Sequence, residues 1–80
     1  MKSQSRQARF DETMVLVENA KETIEELQTE LQNWLDAIPE NLQGGQKAES
    51  LQAAIEELES LAAALEEAAG TTVEFPGMCG

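Results

Sequence analysis

The sequence predicts an all-α fold: an antiparallel two-helix coiled-coil hairpin with a short extended C-terminal arm, assembling into a four-helix bundle. Three observations predict it. Phe10, Val17, Ile24, Leu31 and Ile38 recur every seven residues at a sites, with Thr13, Ala20, Leu27 and Trp34 at the intervening d sites. Side chains at alternating steps of three and four return to one side of a helix, so such a helix is built to lie against another. A second segment repeats the grammar, with Ala48, Ile55, Ala62 and Ala69 at a and Leu51, Leu58 and Leu65 at d. Between the two stand Pro39, Gly44 and Gly45, residues that interrupt helical geometry.

Residues 1–9 read as a basic, polar N-terminal tail that frays or extends the first helix. Order is expected from Phe10. Asp11 suits the N-cap, where its carboxylate accepts from the first free amides, and Phe10 before it can staple onto Val15. The first helix then spans about 11–37, because Pro39 disfavours helical geometry at Ile38 and removes a donor. At 1.5 Å per residue that is about 40 Å.

Residues 39–46 form the turn, with Pro39 at the start of a short helical turn and Gly44 and Gly45 available for positive φ. A connection of this length leaves the flanking helices antiparallel. Leu42, the one apolar residue here, is expected to cover the end of the core. The second helix spans about 46–69 and stops at Gly70. Its apolar face is wider than that of the first, since Ala54, Leu61 and Ala68 add a third column at g beside a and d. Three columns suit two neighbours at once, which is the argument for pairing two hairpins. The predicted oligomer interface is Ile24, Leu27, Leu31, Trp34, Ala54, Ile55, Leu58, Leu61 and Leu65. Trp34 near the turn is read first as cover for the bundle end and second as a binding hot spot.

After Gly70 the grammar changes: Thr71, Thr72, Val73, Glu74 and Phe75 are mostly β-branched or aromatic, so residues 71–80 read as an extended arm. Val73, Phe75 and Met78 form an apolar hook. It either folds back over an open end of the bundle, the reading preferred here, or inserts into a partner.

Eighty residues with 41% hydrophobic content fit one small domain. Two helices alone leave about half of each apolar stripe wet, and cores of this size seldom supply more than ~3–5 kcal/mol. Self-association, or docking on another protein, is the remedy. Charge narrows the partners. Lys2, Arg6 and Arg9 carry three of the five positive charges, while all sixteen carboxylates fall from Asp11 onward, leaving residues 10–80 at −14. So acidic a body repels nucleic-acid phosphate and anionic membrane and attracts basic protein surfaces. The basic tail is read as solvated rather than phosphate-binding.

Cys79 is the single cysteine, so no intramolecular disulfide exists, and the terminal thiol is read as incidental. No apolar stretch approaches the ~20 residues of a membrane span, and no apolar stretch follows the basic N-terminus as in a secretory signal; a cytoplasmic setting is expected. Catalytic chemistry has little to work with. The chain has no histidine and no tyrosine, which removes imidazole bases, Cys–His nucleophiles and the usual zinc ligand sets. Serines 3, 5, 50 and 60 have no base in a recognisable motif, and Gly44-Gly45 lacks the lysine of a phosphate loop. The pairs Glu56-Glu57 and Glu66-Glu67 read as a solvated face, since a bundle-core carboxylate site also needs the missing histidine. No cofactor, metal or enzymatic activity is expected.

Three runs carry a resemblance: Leu-Gln-Asn-Trp-Leu-Asp-Ala-Ile-Pro-Glu-Asn-Leu-Gln at 31–43, Lys-Ala-Glu-Ser-Leu-Gln-Ala-Ala-Ile-Glu-Glu-Leu-Glu at 47–59, and Val-Glu-Phe-Pro-Gly-Met at 73–78. In these the chain resembles small helical-hairpin proteins of tailed bacteriophages and prophages. The resemblance implies a phage setting, hence the bacterial host cytoplasm, and no defined activity. Two function classes follow. One is a non-enzymatic, homo-oligomeric interaction module, the reading chosen here; the other is an acidic anti-defence inhibitor that occupies the nucleic-acid site of a host protein. A small-ligand sponge at an oligomer interface is disfavoured, because few positive groups exist to hold phosphates.

Overall fold

The computed structural model describes residues 5–76, which form two helices packed against each other and, within that span, no strand. Helix α1 runs Arg6–Ala37 and helix α2 runs Gln46–Ala69, joined by a single 3-10 turn at Glu40–Leu42. The molecule is a rod of 67 × 23 × 14 Å. Its radius of gyration, 19.2 Å, exceeds the ~12 Å of a compact chain of this length.

Helix α1 starts five residues earlier than the sequence suggests. Ser5, not Asp11, is the N-cap: its hydroxyl accepts from the Ala8 amide at 3.0 Å. Asp11 lies one turn inside, where its carboxylate accepts from Gln7 Nε2 at 2.9 Å. A serine directly before a run of helix formers caps as well as an aspartate does, so the extra turn forms and residues 6–9 of the basic segment become helix. The expected staple is absent, because Val15 is exposed and Phe10 meets a different partner, described below. Met1–Gln4 lie outside the described residues.

At the other end Ile38 is extended (φ −71°, ψ 130°), as a residue before proline must be. The reversal closes through local bonds. Leu42 N–H donates to Pro39 O at 2.8 Å, Gly45 N–H to Leu42 O at 3.0 Å, and Gln43 Nε2 bridges Leu35 O at 3.0 Å and Ile38 O at 2.8 Å. Carbonyls at a helix C-terminus have no intrahelical donors, and Gln43 supplies them from the turn. The glycines do not use positive φ: Gly45 is at φ −80°, ψ 176°. Closeness matters at Gly45 instead, since a Cβ there would stand 3.2 Å from Leu42 O, a tight approach to which the turn would have to give by a few tenths of an ångström. Leu42 is exposed and does not cover the core. Gly70 ends α2 at φ −86°, its N–H shared between Glu66 O and Glu67 O.

The core is thin. Leu35, Ala48 and Leu51 are buried beside the turn with Leu31, Ile38 and Ile55 packed against them, and Ala62 is buried farther along. The accessible surface of 6288 Å² compares with about 4,700 Å² for a compact monomer of 8.7 kDa. An elongated pair of helices has nowhere to hide the difference.

Candidate interaction faces

Burial along α1 picks out Phe10, Met14, Val17, Lys21, Ile24, Gln28, Leu31, Leu35 and Ile38, again at alternating steps of four and three. The a column is therefore in the seam, as its periodicity predicts, but its companion is the e column of Met14, Lys21, Gln28 and Leu35. The d sites Thr13, Ala20, Leu27 and Trp34 are exposed. On α2 the seam is a and d as read from the sequence, with Ala48, Leu51, Ile55, Leu58, Ala62, Leu65 and Ala69 buried or half-buried. Helix α1 is thus rotated by one column. The short reversal sets that rotation: with Leu35 and Ile38 turned onto Ala48 and Leu51, neighbouring Trp34 must point aside. Lys21 and Gln28 tolerate the seam because their aliphatic stems can lie along it while their polar ends reach water.

The nine residues expected at an oligomer interface accordingly divide. Ile24, Leu31, Ile55, Leu58 and Leu65 serve the seam inside the hairpin, and Ala54 is half-buried at its edge. Leu27, Trp34 and Leu61 remain 41%, 50% and 46% exposed. These three share one side of the rod. Lys47 Nζ sits 5.2 Å from the Trp34 ring centroid, which places the g column of α2 alongside the d column of α1. Stepping seven residues back along α1 and seven forward along α2 puts Leu27 level with Ala54, Ala20 with Leu61, and Thr13 with Ala68.

Charge follows the same division. The Trp34 side comprises the d and g columns of α1 and the g and c columns of α2, and its carboxylates are Glu30 and Glu57 alone. Arg6, Arg9 and Lys47 lie on that side too. The opposite side carries Asp11, Glu18, Glu22, Glu25 and Asp36 from α1 and Glu49, Glu56, Glu59 and Glu66 from α2. Over α1, Glu22, Glu25, Glu26, Thr29 and Glu30 line a shallow depression of ≈ 510 Å³ that is open to water. Among the described residues no group of three potential ligands is placed to hold a metal ion, and no helix is long and apolar enough to cross a membrane.

The end of the rod far from the turn is closed by an aromatic pair. Phe75 meets Phe10 edge to face, centroids 5.7 Å apart and planes at 66°. Residues 71–76 have no helix or strand; Thr71 Oγ1 donates to Glu67 O at 3.2 Å as the chain leaves α2. Arg6, Arg9, Phe10, Thr13 and Phe75 line a cleft of ≈ 340 Å³ there. Phe75 is half-buried and Val73 exposed; Met78 and Cys79 lie outside the described residues. Sequence reasoning missed Gln43 and Lys47. A polar residue four positions past the proline that ends the first helix is the signal for Gln43, whereas the Lys47–Trp34 pairing requires the reversal to be known. Compared with known protein families, curated proteins and solved structures, the chain matches none.

Proposed function

We propose that this protein is a non-enzymatic, homo-oligomeric helical-hairpin module that acts through protein–protein interaction, as an assembly or binding part. The observation that carries the reading is the row of half-exposed Leu27, Trp34 and Leu61 on a hairpin whose own seam buries so little. A rod with a thin core gains most by covering that row with another polypeptide. The absence of histidine and tyrosine supports a binding rather than a catalytic role. The runs at 31–43, 47–59 and 73–78 support a phage-type setting in the cytoplasm of a bacterial host, and the apolar residues of the C-terminal arm, Val73, Phe75 and Met78, support a hook that closes the hairpin or a partner's groove. Sedimentation equilibrium at micromolar concentration tests the reading. A well-folded monomer of 8.7 kDa would refute it.

The segregation of nine helix carboxylates onto one side favours a second reading, an acidic anti-defence inhibitor that presents this side to the nucleic-acid site of a host protein. Capture from host lysate at rising salt addresses it. A basic nucleic-acid enzyme, recovered at low ionic strength and lost at high, is the expected result.

A further inference from the structure

We infer that the Trp34 side of the hairpin is a self-complementary surface whose occupant is the same side of a second copy, so that two hairpins pair face to face and leave their acidic sides outward. The inference rests on the homo-oligomeric reading above and names the surface that reading needs.

Bulk along the row supports it. Proceeding from the turn, the levels are Trp34 beside Lys47, Leu27 beside Ala54, then Ala20 beside Leu61. Large and small residues exchange helices between the second and third levels. A two-fold axis lying in the face, whether parallel to the helices or across them between the second and third levels, therefore seats each leucine on an alanine of the other copy. That is the large-on-small fit of an isologous interface, in which one patch must complement itself.

Charge points the same way. A chain with a formal charge of −11 repels its own copies unless they meet where carboxylates are sparse, and this side holds two of the sixteen. Pairing through the opposite side would bring nine carboxylates against nine. A basic partner, in turn, has little to attract it to the Trp34 side. The area is also sufficient. Helix α2 is about 36 Å long at 1.5 Å per residue, and with the 23 Å breadth of the rod its length of face is close to the ~800 Å² per partner of a standard stable interface.

The test is sedimentation of the full chain alongside Leu61→Glu, Leu27→Glu and, on the acidic side, Val15→Glu, with helicity followed by circular dichroism. All three positions are exposed within the hairpin, so helix content is expected to hold. The expected result is at least a hundredfold rise in the dimer dissociation constant for the two leucine variants and no more than a threefold change for Val15→Glu. Fluorescence of Trp34, the only tryptophan, gives a readout free of substitutions: dilution of the unmodified chain should shift its emission to the red at the concentration where dimers dissociate. A dimer that survives both leucine substitutions, or dissociates without a Trp34 shift, overturns this interface and leaves the homo-oligomeric reading standing. An unmodified chain that is monomeric at tens of micromolar overturns both.

Discussion

Helix α2 offers its neighbour alanine, leucine and isoleucine at every seam position from Ala48 to Ala69, whereas α1 answers with a strip that includes Lys21 and Gln28 while Leu27 and Trp34 stand one column away in solvent. The difference shows that the strip a helix turns toward its intramolecular neighbour need not be its most apolar one. On α2 the two coincide. On α1 they do not, and the displaced apolar strip stays half in solvent. The contrast is sharpest at adjacent residues near the turn: Leu35 is buried and Trp34 is half in water.

That pair supplies the largest expected effect. Leu35→Ala removes a buried side chain and should lower stability by ~2–5 kcal/mol, and Leu51→Ala on the facing helix should do the same. Under dilute conditions, where any association is broken, Leu27→Ala should cost less than about 1 kcal/mol, and Glu57→Ala stays within about 0.5 kcal/mol. Urea denaturation of the four variants makes the comparison. Equal losses at Leu35 and Leu27 would mean that α1 sits in the a/d rotation after all.

The next effect lies at the open end. Phe75→Ala deletes the edge-to-face contact with Phe10, worth ~0.5–1.5 kcal/mol beyond area burial. Thermal melting should fall by several degrees for a domain this small. An unchanged melting temperature would remove the structural role of this contact and leave the C-terminal residues free for a partner.

Much of this architecture was legible in the chain itself. Pro39 and the glycines mark the reversal, the a/d/g pattern of α2 marks its seam, and Gly70 marks its end. The rotation of α1 was not legible, for a physical reason: a column at seven-residue spacing makes a continuous strip equally well with either flanking column, since a with d and a with e both alternate steps of three and four. Composition favours d, with its leucine and tryptophan. The choice is made elsewhere, by a reversal tight enough to turn Leu35 and Ile38 onto Ala48 and Leu51. The Phe10–Phe75 pair was hidden for a related reason, because a contact between residues 65 positions apart leaves no local periodicity to read.

If the reversal sets the rotation, Gln43 should matter to both. Its amide joins the Leu35 and Ile38 carbonyls, the last turn of α1, to the loop. Gln43→Ala should cost about 1 kcal/mol, in the range of one net hydrogen bond, because water can replace the more exposed of the two. Gln43→Glu, which keeps the length and loses the donors, should fare no better. Full stability in both variants would show that the turn does not hold α1 in place.

An effect of similar size gives the sharpest test of rotation. Gln28 occupies the α1 seam and is half-buried, whereas the a/d register derived from the sequence makes its position peripheral to the contact. Gln28→Leu exchanges a polar end for an apolar one beside α2. Half of the ~1.5–3 kcal/mol available on full burial of a leucine amounts to about 1 kcal/mol of added stability. Were α1 rotated so that Leu27 and Trp34 faced α2, the same leucine would gain little on folding and would enlarge the exposed apolar surface. A rise in the urea midpoint at unchanged slope supports the rotation described here, because a true stability gain moves the midpoint and leaves the exposed area alone. No rise, accompanied by concentration-dependent aggregation, would place Gln28 outside the seam and return Leu27 to it.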